Sequence, residues 1–200
     1  MDMKLKNALD KLKPLLLAPC FTSKEAHLYG VSPSTLAYYV KQNELTRIGH
    51  GVYRGANAPV LDDFRWEDLI EAMQRVKDGV ICLTSALSLY HFTEEMSLQH
   101  WIAIRNETIH RALPTTKVVR MRNLTLGKTT IKVGNVTLPI FDRERTIVDA
   151  FRYLGRETAL KALKIALTKK GSEKIDLEKI RKYAKKLRIK IEPFLIAMTL

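Results

Sequence analysis

Apolar positions recur with helical period at both ends of the chain and alternate through its middle. From Lys4 to Leu17, the residues Leu5, Ala8, Leu9, Leu12, Leu15 and Leu16 fall at spacings of three and four, the stripe of an amphipathic helix that buries one side. Pro14 sits near its end and predicts an early stop. The segment "FTSKEAHLYG" then predicts a short helix, capped by Thr22 or Ser23 and closed by Gly30 at the C′ position. A third helix starts directly afterwards. Ser32 is its N-cap and Pro33 its first helical residue, where a missing N–H costs nothing because that group has no partner within a helix. Leu36, Ala37 and Val40 form the expected inward stripe. Two short helices around a tight turn containing Gly30 are the helix-turn-helix pattern.

Directly after the third helix comes "LTRIGHGVYRG", Leu45 to Gly55, whose two short arms flank Gly49-His50-Gly51. This reads as a β-hairpin and adds a wing. "GANAPVLDD" is a boundary of small and turn-forming residues, Gly55 and Pro59 among them. The predicted domains are therefore a winged helix-turn-helix over residues 1–58 and a second domain over 59–200.

The second domain opens with a helix capped by Asp62 or Asp63 that carries Phe64, Trp66, Leu69, Ile70, Met73 and Val76 and ends at Gly79. "VICL" is a buried strand or a lead-in, and "TSALSLYHF" a short helix capped by Thr84. From His100 to Phe141 the alternation predicts strands in "WIAIR", "KVVRMRN" and "TTIKVGNVTLPIF", the last turning at Gly134-Asn135. Helices then return. Asp142 caps one that carries Ile147, Val148, Phe151 and Leu154 and stops at Gly155; a second runs from Arg156 to about Thr168, and a third covers "DLEKIRKYAKKLR". The apolar terminus "EPFLIAMTL" must be covered, by this domain or by a second copy. The fold class is α+β: a winged helix-turn-helix, then an α+β domain with a small, mainly antiparallel sheet and a helical C-terminal segment.

With 200 residues, 46% of them apolar, the chain can build real cores. No apolar run approaches the ~20 residues that span a bilayer, and "MDMKLKNALD" has no signal-peptide pattern. A cytoplasmic protein without membrane contact is expected. Cys20 and Cys82 stand alone, which predicts two reduced, buried thiols rather than a disulfide or zinc site.

Charge changes the picture more than composition does. The net charge is +13, and it is unevenly spread: residues 1–60 hold 8 Lys and Arg against 4 Asp and Glu, residues 61–100 hold 3 against 8, and residues 101–200 hold 23 against 9. Such a balance points to a polyanionic partner. On the third helix Ser34, Thr35, Tyr38, Lys41 and Gln42 face away from the stripe. Gln and Lys can reach base edges in a major groove, and hydroxyls can bond phosphate. Arg47, His50 and Arg54 on the wing would meet the adjacent backbone or minor groove. Arg120, Arg122, Lys182, Lys185 and Lys186 form an auxiliary basic surface, and Arg105, Arg111, Lys117, Lys128 and Lys132 extend it along the strands.

Catalytic patterns are weak. His27, His50, His91, His100 and His110 lie in no metal-ligand spacing, and Gly127-Lys128-Thr129 lacks the upstream glycine of a phosphate-binding loop. A metal-dependent nuclease would need clustered carboxylates, for which Asp142, Glu144 and Asp149 are the candidates. Asp142 is better explained as a helix cap and Glu144 as a first-turn acid favoured by the helix dipole. No enzyme, cofactor or metal is expected. The alternatives are a nucleic-acid-processing nuclease and a protein-binding winged-helix adaptor.

The stretch "FTSKEAHLYGVSPSTLAYYVKQNELTRIGHGVYRG" resembles the winged helix of AbiEi-type antitoxins, with Asn43, Leu45, Arg47, Ile48, Gly51, Val52 and Tyr53 as the wing signature. Asn43 stands where many relatives have a helix-ending glycine. "TSALSLYHF", "WIAIR" and "FDRERTIVDAF" are similar to later motifs of that family, so the resemblance covers about residues 20 to 155. It implies that Arg145 and Asp149 belong to a signature and pair one helical turn apart. It further implies a transcriptional repressor acting as the antitoxin of a type IV toxin–antitoxin system. Such a protein binds inverted repeats in its own promoter, as a homodimer on double-stranded DNA would, and counters a nucleotidyltransferase-like toxin.

Overall fold

The computed structural model describes residues 3–58, 65–76, 78–108, 114–134 and 136–199. Asp62, Asp63, Phe64, His110, Arg111 and Asn135 lie outside the described residues, as do Pro59 and the side chain of Leu5. The chain divides into two compact units, one of residues 1–77 with 132–137, the other of 78–131 with 138–200.

The first unit begins with α1 (Met3–Leu16), β1 (Phe21–Thr22), α2 (Ser23–Leu28), α3 (Pro33–Lys41), β2 (Leu45–Gly49) and β3 (Val52–Gly55). The strands form an antiparallel sheet in the order β1-β3-β2. This is the order of a winged helix-turn-helix, with β2 and β3 as the wing. Its local logic is that of the sequence. The Thr22 hydroxyl accepts from the Glu25 N–H at 3.2 Å while the Glu25 carboxylate accepts from the Thr22 N–H at 2.6 Å, a capping box that starts α2. Gly30 lies at φ +74°, which permits the tight turn, and the Ser32 hydroxyl accepts from the Thr35 N–H to start α3. Leu12, Phe21, Ala26, Val31, Leu36, Tyr39, Leu45 and Tyr53 are buried together as the core.

The inward face of α3 departs from expectation. Leu36 and Tyr39 are the buried residues, whereas Ala37 is exposed and Val40 is only half-buried. A ring three residues after Leu36 fills more space than a methyl beside it, so the helix turns Tyr39 inward and leaves Ala37 in water.

Helix α4 (Arg65–Arg75) completes this unit, with Leu69, Ile70, Ala72 and Met73 buried. It braces the wing. Arg54 on β3 donates to Glu67 at 2.8 Å, the Gln74 amide donates to the Cys20 carbonyl at 3.2 Å, and a Cβ at Gly49 would overlap the Arg75 guanidinium.

The second unit holds β4 (Val80–Ile81), α5 (Leu83–Leu89), β5 (His100–Ile104), β6 (Thr116–Arg120), most of β7 (Lys128–Val133) and β8 (Val136–Phe141), whose residues within 132–137 group with the first unit, and α6 (Arg143–Tyr153), α7 (Arg156–Thr168), α8 (Leu177–Leu187) and α9 (Glu192–Thr199). Its five strands lie in the order β6-β5-β4-β8-β7. The expected small sheet is present, with β4 and β5 antiparallel; β4 with β8 and β5 with β6 are parallel pairs that a hairpin reading does not include. One buried cluster joins Leu87, Ile147, Val148, Leu163, Ile180 and Leu195, and another joins Val80, Leu83, Ala103, Met121 and Phe141. Part of the apolar terminus packs on its own unit, with Leu195 buried and Phe194 stacked on Phe151 at 5.2 Å between centroids, while Ile196 stays 50% exposed.

Two helix boundaries differ from the sequence reading. Thr84 lies inside α5, whose N-cap is Cys82 and whose first residue, Leu83, is at φ +49°. Gly155 is the N-cap of α7, and α6 ends one residue earlier as Leu154 becomes extended. Asp142 does cap α6, accepting from the Arg145 N–H at 2.8 Å. No helix among the described residues is long and apolar enough to cross a membrane. Cys20 and Cys82 are buried and unbridged, and burial pushes both thiols up, Cys20 to about 12 with Glu71 adding to the effect.

Candidate nucleic-acid interface

The outward side of α3 carries Ser34, Lys41 and Gln42 in water, with Thr35 and Tyr38 half-buried. Ser34 and Thr35 have a second duty, since both hydroxyls bond the Ser32 cap hydroxyl, at 2.8 and 2.9 Å. Tyr38 leans edge-on against Tyr39 with ring centroids 5.6 Å apart, which fixes its ring. Gln42 is the C-cap, its backbone N–H donating to the Tyr38 carbonyl, and Asn43 follows at φ 58°. Asparagine tolerates that left-handed conformation, so it ends the helix as a glycine would. Ala37 joins this outward side, a position that the assumed helical phase had turned inward.

The wing is held close to α2. The Ser23 N–H donates to the Gly51 carbonyl at 2.8 Å, with Gly51 at φ +71°. Arg47 folds across the tip, its Nε donating to the Gly49 carbonyl at 3.2 Å and its Nη2 lying 3.4 Å from His50 Nδ1. Both side chains are exposed. Arg54 differs from them: its side chain is only 19% exposed and ion-paired with Glu67. Geometry thus makes Arg54 a strut between wing and α4.

The auxiliary cations also separate. Arg120 Nη1 donates to the carbonyls of Arg105, Asn106 and Thr108 at 2.5–3.3 Å, so it pins that turn. Arg122, Lys182, Lys185 and Lys186 are exposed. Lys117 lies over the Trp101 ring at 4.0 Å.

The three carboxylates of the nuclease alternative are committed to structure. Asp149 is fully buried and accepts from Arg145 Nε at 2.7 Å, one helical turn away as the signature implied. Arg145 is itself fully buried; its other nitrogens donate to the Leu126 and Asn123 carbonyls, and its plane lies over Phe141 at 4.6 Å. Burial raises the Asp149 pKa, and Arg145 opposes that shift without cancelling it. Asp142 and Glu144 share Lys179 at 3.1 and 3.0 Å, Tyr183 donates its hydroxyl to Asp142 at 2.9 Å, and the Asp176 N–H donates to Glu144 at 3.1 Å. Among the described residues no group of three or more His, Cys, Asp or Glu is placed to hold a metal ion.

Comparison with known proteins adds one match. Residues 13–54 fit the model of a family described as transcriptional regulator, AbiEi antitoxin. That segment runs from the end of α1 through the wing, and it is shorter than the 20–155 range suggested by the motifs. No curated protein matches the chain.

Proposed function

We propose that the chain is a DNA-binding repressor and the antitoxin of a type IV toxin–antitoxin pair, controlling its own promoter and opposing a nucleotidyltransferase-like toxin. The single observation that carries this is the winged-helix order of the segment that matches the regulator family, with Lys41 and Gln42 left in water on its third helix. In this reading Ser34, Thr35, Tyr38, Lys41 and Gln42 enter the major groove, and Arg47 and His50 meet the flanking backbone or minor groove. Arg122, Lys182, Lys185 and Lys186 supply phosphate contacts that carry no sequence information. The protein acts without catalysing a reaction, in the cytoplasm, and without a cofactor.

The test is binding of the pure protein to its own upstream DNA and to scrambled DNA of equal length, across a salt series. A preference for the upstream fragment that survives at higher salt supports the repressor. Equal and steeply salt-sensitive binding to both would overturn it, leaving only a basic surface. Suppression of the neighbouring toxin's growth arrest by the wild-type chain, but not by a Lys41→Ala/Gln42→Ala variant, would tie neutralisation to DNA.

A further inference from the structure

Among the described residues of the second unit, the most exposed large apolar side chains are on one loop. After α5 the chain runs through Glu94, Glu95, Met96, Ser97 and Leu98, with Met96 74% and Leu98 98% exposed. Both glutamates are in water and in no ion pair among the described residues; the neighbouring Lys161 is bound to Glu157 at 2.7 Å. An acidic loop with two bare apolar side chains is out of character in a chain of net charge +13. Large apolar residues held in water at one place mark a contact.

The same unit carries a surface of opposite character. Between α8 and α9 lies a groove of about 310 Å³ with a floor of Ala184, Ile189 and Ile191 and a wall at Pro193. Lys185 and Lys190 stand on its rim, exposed and without an ion pair among the described residues. Arg181 and Glu192 also line the groove and are ion-paired with one another, Arg181 binding Glu178 as well, which leaves Lys185 and Lys190 as its unpaired charges among the described residues.

We propose that the 94–98 loop of one copy docks in the α8–α9 groove of a second copy, with Met96 and Leu98 on the apolar floor and Glu94 and Glu95 against Lys185 and Lys190. Charge complementarity selects this occupant, since the loop requires a cationic rim around an apolar trough and the chain itself provides one. In the proposed dimer the two contacts are reciprocal, each copy giving a loop and taking one about a two-fold axis. The surface lies wholly in the second unit and shares one residue, Lys185, with the DNA-binding reading.

Sedimentation velocity on the full chain between about 1 and 100 μM tests it. The expected result is a dimer of the 22.9 kDa chain. Met96→Asp with Leu98→Asp on the loop, and separately Lys185→Glu with Lys190→Glu on the rim, should each raise the dimer dissociation constant by at least about tenfold. The decisive variant is the exchange. Glu94→Lys and Glu95→Lys combined with Lys185→Glu and Lys190→Glu should return the dissociation constant to within about threefold of wild type. A wild-type chain that stays monomeric would overturn the proposal, as would a dimer indifferent to both sets of substitutions or an exchange that restores nothing. All six substitutions are at exposed positions, and circular dichroism checks the folding of each variant. Binding to upstream DNA, measured alongside on the Met96→Asp, Leu98→Asp variant that leaves Lys185 in place, reports on the repressor reading separately.

Discussion

The outward side of α3 and the first two turns of α6 are similar in sequence and opposite in use. Each packs charged and hydroxyl-bearing residues into about two turns. On α3, Lys41 and Gln42 keep their polar ends in water, and only the Ser34 and Thr35 hydroxyls serve a cap. On α6, Glu144, Arg145 and Asp149 are buried, and Arg145 and Asp149 are closed on one another and on the loop from Met121 to Gly127. Partner inventory, rather than residue type, therefore separates a surface poised for a ligand from one that holds the fold.

The strongest way to break this comparison is to cut the buried pair. Arg145→Leu leaves Asp149 buried without its ion-pair and hydrogen-bond partner, and should cost about 3–5 kcal/mol in chemical denaturation. The double change Arg145→Met, Asp149→Leu should cost far less, because no orphaned charge remains. If Arg145→Leu alone were neutral, the pair would not be structural and the nuclease reading would reopen.

Next in size is Gly127→Ala. Gly127 lies at φ +68°, and an added Cβ would stand 2.8 Å from Arg145 Cβ and 3.1 Å from the Asp142 carboxylate. Neither neighbour can yield without disturbing the cap of α6, so a loss of about 1–3 kcal/mol is expected in thermal unfolding.

On the exposed side the readout changes from stability to binding. Gln42→Ala should weaken upstream DNA by about 1–3 kcal/mol while leaving random DNA unchanged, and Lys185→Ala should weaken all DNA alike and lower the salt slope by about 1. Equal losses on both DNAs for Gln42→Ala would remove it from base reading. Arg54→Ala tests the intermediate case: as a strut it should cost about 1 kcal/mol of stability with little change in affinity at a temperature where the variant is folded. A selective loss of upstream DNA would return Arg54 to the interface.

The smallest expected effect is alkaline. For Tyr183, burial and its hydrogen bond to Asp142 raise the hydroxyl from 10.0 to about 12. Lys179 is raised too, because hydrogen bonds to Glu144 and Asp142 outweigh the opposing effect of burial. Both groups hold their protons more tightly when folded, so their stabilisation is complete below pH 10 and falls as pH climbs to 12. Tyr183→Phe should flatten that part of the stability curve. An unchanged slope would place the alkaline loss elsewhere.

Much of this was legible in the chain because it rests on neighbours in sequence. The caps at Thr22, Ser32 and Asp142, the turn at Gly30, the wing and the Arg145–Asp149 pair all lie within a few residues of their partners, where backbone chemistry decides. The misses involve distance or competition. Glu67 claims Arg54 from 13 residues away, the carbonyls that hold Arg120 lie 12 to 15 residues before it, and β4 takes β8 as a parallel neighbour from the far end of the unit. Tyr39 displaced Ala37 from the core by size, which a binary apolar pattern does not record. Cys82 and Leu83 start α5 with no side-chain cap, so Thr84 offered a better signal than the structure uses.

The overlap between Gly49 and Arg75 bears on how such chains diverge. A side chain at position 49 would meet the Arg75 guanidinium where it sits beside Glu71, so that arginine must swing aside or shorten when position 49 changes. Relatives with a bulkier residue at the wing's bulge should carry a shorter one at position 75, and a survey of homologous sequences would show the two varying together across 26 residues that share no segment of secondary structure.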